Sequence, residues 1–87
     1  MPYQVNVKPK AFKALEKIND PDYSNIKKAI RSLEDDPRPH GYKKLKGRDG
    51  YRIRVGDYRV IYNIFDHILT VDVVALGRSI VNNGITG

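Results

Sequence analysis

No cysteine occurs in this chain, so neither a disulfide framework nor a thiolate zinc site is available to it. Histidine is scarce: His40 and His67 lie far apart and lack the spacing of metal ligands. No apolar run is long enough to cross a bilayer as a helix. No N-terminal segment has the charged, apolar and small-residue succession of a signal peptide. Repeats and low-complexity tracts are also missing. These absences point to one globular domain over residues 1–87, cytoplasmic, with no metal, no cofactor and no membrane partner. At 87 residues the chain holds a modest core.

Charge is present in excess, and it is localised. The formal net charge is +6. Between residues 38 and 59 stand eight basic residues (Arg38, Lys43, Lys44, Lys46, Arg48, Arg52, Arg54 and Arg59) against Asp49 and Asp57. The other 65 residues carry eight basic and eight acidic side chains and balance to zero. A one-sided basic stretch of this kind is the footprint of a polyanion partner such as nucleic acid. An acidic protein surface would satisfy it as well.

Hydrophobic spacing divides the chain into elements. "YQVNV" alternates and predicts a strand over residues 3–7. Pro9 near a helix start and Phe12, Leu15 and Ile18 at helical spacing predict a helix over 9–18. Asp20 and Pro21 are placed to open a second helix, whose stripe is Tyr23, Ile26, Ile30 and Leu33. "DDPRPHG" ends it, because prolines and glycine cannot continue it. A basic connection, "YKKLKGRDG", leads to "YRIRVGDYRVIYNI" and then "ILTVDVVAL". The expected fold class is α+β: one strand, a helical hairpin, then a three-stranded antiparallel meander, in the order β-α-α-β-β-β. The edge taken by the first strand is left open. The tail over 79–87 has no pattern and is expected to be flexible.

Arginine interrupts the strand pair at Arg52, Arg54 and Arg59. Gly56-Asp57 is a two-residue loop with glycine first, as a type II′ hairpin requires. That loop sets Arg54 opposite Arg59 and Arg52 opposite Ile61, so all three arginines project from one face. Tyr51, Tyr58 and Tyr62 project from the other and are read as core packing. Facing like charges destabilise a sheet by a few tenths to about 1 kcal/mol. An anion seated between them reverses that, and guanidinium forks suit phosphate. Extending the pairing across the tip "FDHI" sets Tyr62 against Val71 and Val60 against Val73. By parity it also places Arg78 on the arginine face. His40, His67 and Phe65 are read as loop or tip residues.

"KLKGRDGYRIRVGDYRVIYNI", with its Leu-Lys-Gly entry, Tyr-Arg-x-Arg strand, Gly-Asp turn and Tyr-Arg-x-x-Tyr strand, resembles the RelE/ParE toxin superfamily. The resemblance runs over about residues 3–78 and includes the element order. It implies a cognate antitoxin partner and one of two activities. RelE-like members bind the ribosomal A site and cut mRNA without a metal. ParE-like members inhibit DNA gyrase and lack the cleavage residues. On the first alternative the resemblance assigns Arg52, Arg54 and Arg59 to the cleavage site; Arg78 is read as joining them at the scissile phosphate, and Lys43, Lys44, Lys46 and Arg48 of the basic stretch as gripping rRNA and mRNA. Lys46 is a candidate for handling a proton.

The chain departs from the RelE-like pattern after Gly77. Arg78 stands where His or Lys is usual, Ser79 takes the usual arginine place, and Asn82 and Asn83 fall where a tyrosine is expected. The sequence reading is thus a toxin that is a ribosome-dependent, metal-independent mRNA endoribonuclease. Its alternatives are a gyrase inhibitor and an RNA-binding toxin homologue of weak catalysis.

Overall fold

The computed structural model describes residues 2–79 of the chain. Its elements are β1 (Gln4–Val7), α1 (Pro9–Glu16), α2 (Asp22–Ser32), β2 (Lys43–Lys44), β3 (Tyr51–Val55), β4 (Tyr58–Phe65) and β5 (Thr70–Arg78). The five strands form one mixed sheet in the order β1-β5-β4-β3-β2. The expected α+β class and order are present, with a short extra strand. The flexible tail expected over 79–87 lies, past Ser79, outside the described residues.

Each helix forms for a local reason. Pro9 occupies the first turn of α1, where its missing N–H costs nothing. Ala11 and Leu15, one turn apart, are the buried pair. Phe12, expected on that stripe, is 50% exposed. The helix instead lays small Ala11 onto the sheet, which permits a close approach to β5. The helix stops at Glu16, two residues short of the expected end. The N–H groups of Lys17 and Ile18 already turn back to the carbonyls of Ala14 and Leu15, three residues behind each. In α2 the stripe is as expected, with Ile26, Ile30 and Leu33 buried and Tyr23 packed beside them. Asp20 Oδ1 accepts the Ser24 N–H at 3.0 Å and the Ser24 hydroxyl at 2.6 Å, occupying one orphan donor of the first turn.

Both helices cover one face of the sheet. Ile53, Val60, Tyr62, Val71 and Val73 complete the core with them, and no described polar or charged residue is buried. β1 runs parallel to β5, with Val5 beside Val71 and Val7 beside Val73, which prolongs the apolar face. On the opposite face Asn6 donates to Asp72 at 3.1 Å. The edge left open by the sequence is therefore decided by matching pattern on both faces.

The β4–β5 register differs from the expected one. Tyr62 pairs with Val73, not Val71, because the reversal is made by Asp66–Ile68 and Leu69 rather than by 65–68. Leu69 adopts φ +49° there. This shift of two residues preserves the faces. A bulge between Ile61 and Tyr62 does not preserve them. Val74 is its extra residue, and beyond it Ile61 pairs with Ala75, Val60 with Leu76, Arg59 with Gly77 and Tyr58 with Arg78. Leu76 consequently joins the core face. Arg78 is set opposite Tyr58, on the side away from the arginines, which corrects the parity expectation.

Two ties hold the connections. The buried Tyr62 hydroxyl donates to the Pro37 carbonyl at 2.7 Å, pinning the bend after α2 to the core. At the tip, Asp66 accepts from Arg38 at 2.9 Å and from the Tyr3 hydroxyl at 2.6 Å. Those hydrogen bonds, from Arg38 first and Tyr3 second, draw the Asp66 carboxyl down to about 2.

Tyr62→Phe leaves the Pro37 carbonyl without its donor at a buried site and is expected to cost about 1–3 kcal/mol. Denaturant unfolding at neutral pH measures it. A second expectation concerns acid. The folded value for Asp66 lies below the ordinary 3.8, so its contribution is complete above 3.8 and is lost as pH falls toward 2. Melting curves should show wild type losing its advantage over Asp66→Asn in that window.

Candidate nucleic-acid interface

The β3–β4 hairpin builds the arginine face. Gly56 takes φ +61° and no left-handed φ follows at Asp57, the sign pattern of a type II′ turn. The resulting register sets Arg54 against Arg59 and Arg52 against Ile61. Arg52 is partly buried, whereas Arg54 and Arg59 are exposed. Burial holds the Arg52 guanidinium below its ordinary value, with further lowering from the positive charges of Arg54 and Arg59. The three cations thus feel one another. Among the described residues the ion pairs are Arg38–Asp66 and Arg78–Asp57, and none involves Arg52, Arg54 or Arg59.

The basic connection contributes more order than its composition suggests. Lys43 and Lys44 form β2, pairing with Arg52 and Tyr51 of β3. The Leu45 N–H then bonds the Gly50 carbonyl at 2.9 Å, closing the loop 45–50. Gly50 is buried at φ +127°, where a Cβ would stand 3.1 Å from Leu45 Cδ1 and 3.2 Å from Asn63 Oδ1. Only glycine lets this loop lie down on the polar face of the sheet. There the loop carries Lys46 and Arg48 to Arg59.

Together these parts enclose a concavity of about 460 Å³. Five cations line it: Lys10, Lys46, Arg48, Arg59 and Arg78. Leu45, Ile61, Ala75, Leu76 and Gly77 also line it, and among the described residues no carboxylate does. Gly77, paired with Arg59, presents no side chain beside that guanidinium.

The residues expected at the site divide into groups. Arg52, Arg54, Arg59 and Lys43 share one face. Lys46 and Arg48 join Arg59 at the concavity. Arg78 lies at its rim, with its guanidinium 5.5 Å from the Tyr58 ring centroid and 3.9 Å from Asp57. Lys44 turns to the other face, its Nζ 5.5 Å from the Tyr51 ring centroid. Arg38 is paired with Asp66 and lies 5.8 Å from the Tyr51 ring, so it is not a free cation of the basic stretch. His40 and His67 are exposed. Lys10 was missed from sequence. The available signal was its position, since Lys8 and Lys10 flank the start of α1 with no acidic residue in the first turn.

An arginine face without carboxylates gains stability from losing a cation. Arg54→Ala and Arg59→Ala are each expected to leave the fold intact and the melting temperature unchanged or raised, by no more than about 1 kcal/mol of stability. Circular dichroism melting at low salt checks this, and a clear loss of stability would make the pair structural.

Comparison with known proteins agrees with this architecture. A family model described as the ParE toxin of type II toxin–antitoxin systems matches residues 5–79. No curated protein matches the chain. Among solved structures, archaeal RelE in the RelE–RelB complex from Pyrococcus horikoshii OT3 is 30% identical, covering 91% of this chain and 97% of that one, with a TM-score of 0.81. Isolated E. coli RelE toxin is 25% identical over 93% of this chain and 88% of its own, with a TM-score of 0.78. The YoeB/ParE toxin from Agrobacterium tumefaciens shares the fold, with 16% identity, coverage of 86% and 96%, and a TM-score of 0.73.

Proposed function

Since this chain belongs to the ParE toxin family and is the toxin of a type II toxin–antitoxin system, we propose that it inhibits translation as a ribosome-dependent, metal-independent mRNA endoribonuclease. The observation that carries the reading is the facing pair Arg54 and Arg59, with Arg52 on the same face and no ion-pair partner for any of them among the described residues. A neutral surface has no need of opposed guanidinium groups. A phosphodiester does.

The chemistry follows from this arrangement. A ribose 2′-hydroxyl gives up its proton to water and its oxygen attacks the adjacent phosphorus, closing a 2′,3′-cyclic phosphate as the bond to the 5′-oxygen breaks. Negative charge grows on the phosphoryl oxygens, and fixed cations stabilise it without reorganising. Arg54 and Arg59 flank that phosphate in this reading, with Arg52 behind them. Arginine does not lose its proton near neutral pH, so these groups act by charge and hydrogen bonding. Lys46, on the loop beside Arg59, has a proton to give to the departing 5′-oxygen. Lys43 and Arg48 extend the grip to neighbouring phosphates of mRNA or rRNA. Lys44, turned to the tyrosine face, is left with rRNA rather than the cut strand.

A cognate antitoxin is the expected protein partner, consistent with the RelB-bound state of the archaeal relative. A second reading is inhibition of DNA gyrase. It is favoured by the ParE description of the matching family and by Ser79 standing where RelE-like toxins carry arginine.

Mapping of mRNA 5′ ends on ribosomes after induced expression, beside a gyrase supercoiling assay, separates the two. New 5′ ends within A-site codons are expected, lost by at least about a hundredfold in Arg59→Ala, the scale of removing one transition-state donor. Ribosome association should also fall steeply with salt, and less steeply in Lys46→Ala or Arg48→Ala. Supercoiling inhibition with intact mRNA would replace this reading by the second.

A further inference from the structure

The cations on and around the polar face form two groups that meet at Arg59. One is the pair across β3 and β4, Arg54 and Arg59. The other is the concavity, where Lys10, Lys46, Arg48 and Arg78 join Arg59 and, among the described residues, no carboxylate enters. Adjacent strands stand about 4.8 Å apart. The second group is therefore displaced from the first by about one strand spacing toward β5. A strand crossing the sheet in that direction would meet the two groups in succession.

Lys10 is the member with no structural reason to be there. It is exposed and lies in the first turn of α1, following Lys8 at the N-cap and Pro9. The positive end of the helix dipole disfavours a cation at this position. Lys10 makes no ion pair among the described residues. It nevertheless lines the concavity beside four further cations. An anion held there would offset both costs.

We propose that the concavity seats the mRNA phosphate next to the one being cut, and that Lys10 is the residue of α1 that binds it. This rests on the endoribonuclease reading above. The two phosphates would share Arg59, so that the strand crosses the sheet from β3 toward β5. Gly77, with no side chain beside Arg59, leaves the passage between the two positions open.

The test uses the full chain on ribosomes programmed with synthetic mRNA. Each linkage in and around the A-site codon is replaced in turn by an uncharged methylphosphonate, and single-turnover cleavage is followed at subsaturating toxin. Wild type is expected to lose about tenfold when the neutral linkage is at one of the two positions flanking the cut, the scale of one charge-assisted hydrogen bond. Lys10→Ala should lose a similar factor on unmodified mRNA and no further factor on that modified mRNA. Such non-additivity marks a direct contact. Lys10→Arg should keep most of the rate. The melting temperature of Lys10→Ala should be unchanged or higher, because a cation has left a helix N-terminus. Losses that multiply independently would overturn the assignment, as would a Lys10→Ala variant as fast as wild type or one slowed equally at every linkage. Failure of wild type to cut unmodified mRNA on the ribosome would instead overturn the endoribonuclease reading, and this inference with it.

Discussion

A single extra residue, Val74, is the constraint on which the polar face of this protein depends. Strand side chains alternate, so one inserted residue exchanges the faces of everything beyond it. Near the tip, the β4–β5 ladder sets Asn63 beside Asp72 and Tyr62 beside Val73. Past the bulge it sets Arg59 beside Gly77 and Val60 beside Leu76. Without the bulge a bulkier neighbour would stand next to Arg59, and Leu76 would point away from the core. The concavity and the apolar packing near the end of β5 thus have the same origin.

The fold tolerates charge in one place by neutralising it in others. Arg38 and Asp66 are tied to each other and to Tyr3, joining the bend after α2, the β4–β5 tip and the start of β1. Asp72 is held by Asn6. Among the described residues, Arg59 and its neighbours Lys10, Lys46 and Arg48 have no carboxylate partner. Opposed arginines and a lysine at a helix start are each worth tenths of a kcal/mol to about 1 in the wrong direction. A core in which no described polar or charged residue is buried, with the Tyr62 hydroxyl bonded to Pro37, leaves room for such costs. The unfavourable charge is concentrated where an anionic partner would remove the penalty on binding.

Membership of a toxin family carries the biological frame, while the choice of target rests on this face. The same scaffold serves quite different targets, because function resides in the site and not in the fold. Here the elements that shape the site are short: a two-residue turn, a two-residue strand and a six-residue loop ending at buried Gly50. Each has a backbone reason. None relies on a long helix or a deep core.

Much of this was legible in the residues. Period-two and helical spacing located every long element, and the Gly56-Asp57 turn located the facing arginines, because these depend on neighbours within a few positions. The stripe of Ile26, Ile30 and Leu33 was equally local. What escaped was set by contacts distant in the chain. Alternation along β5 carries no mark of where a bulge interrupts it, so Arg78 was assigned to the wrong face. Composition could not distinguish Arg38, paired across 28 positions with Asp66, from the unpaired arginines. Lys10 entered the site because α1 packs against β5, and the edge chosen by β1 depended on its match to Val71 and Val73. Local sequence dictates which face a side chain takes within one strand; the company it keeps across the sheet is dictated by register and packing, which belong to the whole fold.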